Sequence, residues 1–303
     1  MMVSVIIVNY NSGEFLVQAI ASLKQWVKAT PLEIILVDNA SRDGSVERVK
    51  QLFPQMSVLE LPNNVGFARA NNLGAQMAQG KYLLFLNSDT VLHEDVLTPL
   101  VSFLEQDENA AVVGPKLVNV DGTFQLSFGN RTGFLGEAQS IWWQRKLKSK
   151  RPRISQGMEK KLVRKRDVKW LTGAAMLVRR PVFEMLGGFD EDYFMYFEDA
   201  DFCARVRKAG YRVTYFPATA LIHLGGKSVK GLSDTIAYEY RRSQLLYYQK
   251  HRSLVSRGII RLYLLMKFGF KYLRRKHARH LHKQIALLAL KKELKRPSEV
   301  QPG

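Results

Sequence analysis

The chain has 303 residues, 46% of them apolar and 11% aromatic, which supplies a packed core and argues against disorder. Its single cysteine, Cys203, excludes an intramolecular disulfide framework and a multi-cysteine zinc site. The net charge of +19 is concentrated: residues 141–170 hold 12 Lys/Arg against Glu159 and Asp167, residues 251–296 hold 14 against Glu293, and the remainder is slightly acidic.

Residues 3–8 are apolar and β-branched and read as a buried strand. The run stops at Asn9 and no basic stretch precedes it, so no signal peptide is expected, and no run reaches the ~18 apolar residues of a spanning helix. A cytoplasmic protein, soluble or peripheral on a membrane, is expected. A helix follows over 14–28, then a strand over 32–37 ended by Asp38-Asn39, then a helix from about 43 with Ser41 as N-cap. Residues 56–61 form a third strand, and Pro62-Asn63-Asn64 leads into a helix over 66–79 with Gly80 as its C′ glycine. A fourth strand, 81–86, carries Asn87-Ser88-Asp89 at its carboxyl end. Near-continuous apolar strands alternating with helices predict an α/β fold, its mostly parallel sheet covered on both faces.

Beyond residue 113 the pattern changes. Asp121-Gly122 reads as a hairpin turn, and residues 129–169 become Gly-rich and then basic without a period, as in a mobile loop or excursion. Strand returns at 170–179. An aromatic, acidic loop at 189–196 enters a helix over 199–209 closed by Gly210. Strands at 211–216 and 219–223 precede helices from about 235. In a helix over 257–275, Arg257, Arg261, Lys267, Lys271, Arg274 and Arg275 share an arc of about 140°. Apolar residues such as Ile259, Leu262, Met266 and Phe270 fill the rest, with Leu264 and Phe268 intruding on the charged side.

In open parallel sheets, ligands bind outside the carboxyl ends of the strands. Asn9-Tyr10-Asn11, Asp38-Asn39 and Asn87-Ser88-Asp89 stand there. GxGxxG after the first strand and GxxxxGK[ST] are both missing, so dinucleotide and P-loop readings lose their phosphate cradle. A divalent cation on Asp89 is the simple alternative. Further on, Glu198-Asp199-Ala200-Asp201 holds more acid than capping a helix requires.

Six runs, VSVIIVNYNSGEFL, EIILVDNASRDGS, LPNNVGFARANNLGAQMAQGKYLLFLNSD, TGAAMLVRR, FDEDYFMYFEDADFCARVRKAGYRV and ALIHLGG, resemble family 2 glycosyltransferases of the GT-A fold. The nearest resemblance is to the rhamnosyltransferase-like branch that builds bacterial surface polysaccharides. It implies a GT-A domain over 1–226, with the basic excursion inside it, and a helical basic region over 227–303. It also implies transfer, with inversion, of a sugar from a nucleoside diphosphate donor, dTDP-rhamnose favoured, to a hydroxyl of a glycan or lipid-linked acceptor. On this resemblance Asp38 meets the nucleotide base, and Asn9, Tyr10, Asn64, Gly66 and Arg69 lie along the donor, Arg69 facing the diphosphate. Asn87-Ser88-Asp89 stands for the family's DxD motif with Asn in place of the first carboxylate. Asp89 and His223 would hold Mg2+ or Mn2+, weakly without substrate. Asp199 is the expected general base, kept ionised by its helix N-terminus, Glu198 orients the acceptor, and Asp201 is structural. Trp170, Thr172 and Gly173 border the acceptor. The basic tail is expected to meet an anionic membrane surface, packing on the domain being the plainer alternative. Charge alone would also suit a nucleic-acid binder, but no nucleic-acid motif is visible, and a non-catalytic nucleotide-sugar binder would be free to lose Asp89, Asp199 and His223.

Overall fold

A computed structural model describes residues 2–129, 142, 162–225, 233–274 and 278–294, so most of the excursion expected at 129–169 lies outside the described residues. The first half alternates β1 (Val3–Asn9), α1 (Glu14–Trp26), β2 (Leu32–Asp38), α2 (Ser45–Leu52), β3 (Ser57–Glu60), α3 (Phe67–Met77) and β4 (Tyr82–Asn87). After it come β5 (Thr90–Leu92), α4 (Leu97–Gln106), β6 (Ala110–Val118), β7 (Phe124–Gln125), β8 (Phe128–Gly129), β9 (Arg166–Asp167), β10 (Trp170–Leu171) and β11 (Ala175–Arg179). The chain continues through α5 (Arg180–Met185), α6 (Glu198–Lys208), β12 (Arg212–His223), α7 (Ser233–His251), α8 (Leu254–Arg274) and α9 (Arg279–Leu288).

The main sheet runs β3-β2-β1-β4-β11-β6-β12-β5. Strands β1 to β4 pair in parallel, and β11 enters antiparallel between β4 and β6. Every residue of β1 is buried, because helices cover both faces: α1 lies over Val3, Val5 and Ile7, α3 over Ile6 and Val8. Each large apolar side chain so removed from water contributes about 1.5–3 kcal/mol. That burial, more than local helix preference, holds α1 and α3 in place.

Several local expectations shift. Helix α2 starts at Ser45 behind Gly44, and Ser41 instead accepts hydrogen bonds from Asn9 Nδ2 and Asn11 N. Gly80 is not the C′ residue of α3, which ends at Met77; it is glycine because a Cβ there would lie 2.6 Å from Ser4 N on β1. Helix α4 is capped by Asp95, which accepts from the N–H groups of Leu97 and Thr98, so Asn87-Ser88-Asp89 has no capping duty. The expected strand at 170–179 breaks into β10 and β11, leaving residues 172–174 as an irregular link. The two strands expected at 211–223 are one strand, β12, whose register on β6 slips between Phe216 and Ala220. The hairpin at Asp121-Gly122 forms between β6 and β7 as expected.

Helices α7, α8 and α9 share a core in which Leu245, Leu246, Ile260, Leu264, Phe268 and Ile285 pack with Tyr193 and Ala200 from the α6 region. Leu264 and Phe268, which interrupt the charged arc of α8, form with Ile260 its buried seam.

Candidate active site

Register places Asn9 opposite Asp38 and Val8 opposite Asn87, so the three polar groups meet at one end of the sheet. Asn9 is fully buried; its Nδ2 donates to Asp38 Oδ1 at 2.9 Å, Ser41 Oγ at 3.0 Å and Ser45 Oγ at 2.9 Å. Ser41 N donates to Asp38 Oδ2 at 3.0 Å, so the buried carboxylate has one orientation. Asn9 thus positions Asp38, and the half-buried Tyr10 follows it at the strand end. Asn39 ties in the next loop, donating to Asn64 Oδ1 at 2.9 Å and accepting from Val65 N at 2.8 Å. Gly66, at φ 93°, is pressed against the loop before α6: a Cβ would lie 2.4 Å from Phe194 Cδ2 and 2.5 Å from Phe194 O. Phe67 N donates to that same Phe194 O at 2.6 Å. Arg69 is exposed and its Nε lies 3.6 Å from Glu191 Oε2. Asn71 is buried and donates to Phe67 O one turn back, which is a structural role.

After β4, Ser88 Oγ lies 2.7 Å from Ser12 Oγ, and Asp89 is buried with its Oδ1 3.2 Å from His223 Nε2. Strand β5 brings them together, because Thr90 pairs with His223 across the β5–β12 ladder. Gln125 Oε1 lies 2.6 Å from His223 Nδ1 and can only accept, so Nδ1 donates to it and the ring is oriented with Nε2 toward Asp89. Asn87 Nδ2 approaches the same Nε2 at 3.3 Å. A carboxylate oxygen and an imidazole nitrogen side by side form a donor set that a divalent ion fits. Among the described residues no third His, Cys, Asp or Glu joins them, so any such metal would depend on ligand oxygens from a substrate.

The acidic group opens α6. Gly173 N donates to Asp199 Oδ2 at 2.9 Å and Ala200 N to Asp199 Oδ1 at 2.6 Å. Burial raises the Asp199 carboxyl above the usual range, its backbone N–H bonds opposing the rise, so the helix N-terminus expected from the sequence to keep it ionised does not outweigh burial. Glu198 is buried, its Oε2 has no hydrogen-bond partner among the described residues, and burial followed by the neighbouring Asp199 charge pushes it well above the usual range. Asp201 differs: burial alone would raise it, but His251 Nε2 at 2.6 Å and Arg205 Nε at 2.7 Å hold it low.

Residues 172–174 link the two polar groups. Gly173 N holds Asp199, while Ala174 O accepts from Asn87 N at 3.0 Å. Thr172 N is anchored on Ser127 O at 2.8 Å, and half-buried Trp170 packs where a Cβ on Gly129 would meet its Nε1 at 2.4 Å. The loop before α6 is braced from α7. Arg242 donates to Asp192 O, Ser243 to Met195 O, and Lys250 pairs with Asp190 and Asp192. Tyr196 and Phe197 are both left-handed, at φ 67°, and Tyr240 lies against their rings. Sequence reasoning gave Gln125, Arg242, Lys250 and His251 no role, because their partners lie 50–98 residues away.

A mixed sheet with its polar strand ends facing an acidic helix start is the GT-A architecture of glycosyltransferases. Staphylococcus aureus TarS residues 1–349, in complex with UDP-GlcNAc, shares it with a TM-score of 0.58 at 18% identity, covering 96% of this chain and 80% of that one. So does the mannosyltransferase PcManGT from Pyrobaculum calidifontis, in complex with GDP-Man and Mn2+, with a TM-score of 0.56 at 17% identity, covering 95% and 85%. Residues 4–187, more than half of the chain, match glycosyl transferase family 2, and the chain belongs to that family. Residues 154–225 also match the N-terminal domain of galactosyltransferase. An N-acetylglucosaminyl-diphospho-decaprenol L-rhamnosyltransferase of Mycobacterium tuberculosis is 28% identical over 239 residues, 72% of this chain and 75% of that protein. Rhamnosyltransferase WbbL of Escherichia coli K12 is 26% identical over 285 residues, 86% and 98%.

Proposed function

We propose that the protein is an inverting transferase that moves a sugar, rhamnose from dTDP-rhamnose favoured, from a nucleoside diphosphate to a hydroxyl of a glycan or lipid-linked acceptor. The observation that carries this reading is the pair of contacts at residues 173–174, which set Asp199 and the Asn87-Ser88-Asp89 turn on either side of one short segment. The donor sugar's preference and the lipid-linked acceptor are supported by the names of the rhamnosyltransferase relatives. Residues 1–226 would form the transferase domain and 227–303 a helical basic region, working peripherally at the inner face of the plasma membrane.

In this reading the nucleotide lies over the ends of β1 and β2, with Asp38 on its base and Asn64, Gly66 and Arg69 along the donor. Asp89 and His223 would hold Mg2+ or Mn2+, whose contribution when bound is to neutralise charge on the departing diphosphate. Asp199 takes the proton of the acceptor hydroxyl as its oxygen bonds to the anomeric carbon. The bond from that carbon to the diphosphate oxygen breaks on the opposite side, which inverts the centre. Gly173 N–H and Ala200 N–H aim the carboxylate, and burial brings its proton affinity nearer working pH. Glu198, whose carboxyl burial raises well above its usual range, would orient the acceptor.

A panel of nucleotide sugars tested for protection against thermal unfolding, with and without divalent metal, checks donor and metal together. The expected result is a metal-dependent rise with dTDP-rhamnose, lost in Asp89→Ala. Undiminished transfer in excess EDTA would overturn the metal assignment.

A further inference from the structure

Helix α8 turns its charged side toward the protein. Ile260, Leu264 and Phe268 form its buried seam, and cations sit beside them: Arg257 donates to Arg252 O, Arg261 to Ala289 O and Lys291 O, and Lys271 Nζ lies 5.1 Å from the Phe268 ring centroid. The outward half is apolar. Val255, Ile259, Leu262, Met266, Phe270 and Leu273 recur every three or four residues and are 55–73% exposed. At 1.5 Å per residue they make a stripe ~27 Å long, and at 100° per residue no charged side chain falls within about 80° of its midline. A continuous apolar stripe of that length marks a contact surface.

We propose that this stripe seats the enzyme on an anionic lipid bilayer, with α8 parallel to the membrane plane and its six outward side chains among the acyl chains. The proposal rests on the membrane-side reading given above and names the surface that serves it. Charge decides the occupant. Residues 251–296 carry 14 Lys/Arg and one acid, so a second copy docked through the same stripe would set like charge against like. Arg257, Arg261, Lys267 and Arg274 form no ion pair with a carboxylate among the described residues. Lys267 and Arg274 border one edge of the stripe, where their heads reach phosphate level while the apolar side chains stay below it. With lipid phosphates the same charges attract.

The test is flotation with phosphatidylglycerol-containing and with pure phosphatidylcholine vesicles, for the full chain and for Leu262→Glu/Met266→Glu, both sites being exposed and remote from Asp89 and Asp199. The wild type should float with the anionic vesicles only, and the variant should bind at least ~10-fold less while its donor-dependent thermal protection is unchanged. As a second readout, Cys203 is buried, so Met266→Cys takes an environment-sensitive dye at a single place; its emission should shift to the blue on anionic vesicles. Equal flotation of the variant, no flotation of the wild type, or an unshifted dye would overturn the proposal. So would sedimentation showing a dimer that the two Glu substitutions split without any vesicle binding. Failure of the donor to protect the wild type, with flotation intact, would instead count against the transferase reading alone.

Discussion

Asp199 is gripped by two backbone N–H groups and backed by Glu198, whose carboxyl burial holds well above the usual range, which makes its behaviour with pH specific. Asp199→Asn keeps the shape and removes the basicity, so kcat should fall ~10²–10⁴-fold with donor affinity nearly unchanged. Because the Asp199 carboxyl is raised, the acid limb of the wild-type kcat/KM profile should lie above the ordinary aspartate range. Glu198 makes a separate prediction. Its folded-state pKa lies above its unfolded one, so between the two the native state binds more protons and wild-type stability falls as pH rises. Glu198→Gln lacks that penalty, and the melting temperature of the variant relative to wild type should increase from pH 5 to pH 8. Three acids in four residues made this position legible in the sequence; the burial that raises two of them, and the partners that hold Asp201 low, were not, since they depend on a loop, residue 173, Arg205 and His251.

Short elements, rather than helices, bring the site together. The loop after β3 meets the loop before α6 at Gly66 and Phe194, a contact that no side chain at 66 permits. Gly66→Ala adds a clash at 2.4–2.5 Å and a strained positive φ, for a loss of about 2–3 kcal/mol in a denaturant titration. Transfer should drop further than donor binding, since Phe194 leads directly to Asp199. The strands β1, β2 and β4 were legible because each is buried along nearly its whole length and announces itself as an apolar run. The break at 172–174 and the slip in β12 were not, because both answer to neighbouring strands: Thr172 to Ser127, and β12 to the register of β6. Gly66 was read as a donor contact for the same reason; its constraint comes from a residue 128 positions away.

At the scale of the molecule, the charge of the tail masked its internal work. Arg242 is buried and donates to Asp192 O, Leu294 O and Glu239 Oε2, joining the loop before α6 to the end of the helical region. Arg242→Ala should cost on the order of 3 kcal/mol, because it strands a part-buried carboxylate and two carbonyls. Turnover should fall while the thermal shift with donor persists, since no contact of Arg242 reaches the ends of β1, β2 or β4; equal loss of both would mean that the helices support the whole sheet.

The bracing of Tyr196 and Phe197 by Tyr240 has a consequence for anyone recombining members of this family. Two successive left-handed residues without glycine hold that shape only while their neighbours enforce it. Grafting the helices of one relative onto the first half of another would therefore release the restraint on Tyr196 and Phe197 and distort the loop before α6. Productive exchanges should take residues 190–294 as a single cassette, because α7 shares its core with α8 and α9 and Arg242 also holds Leu294 O.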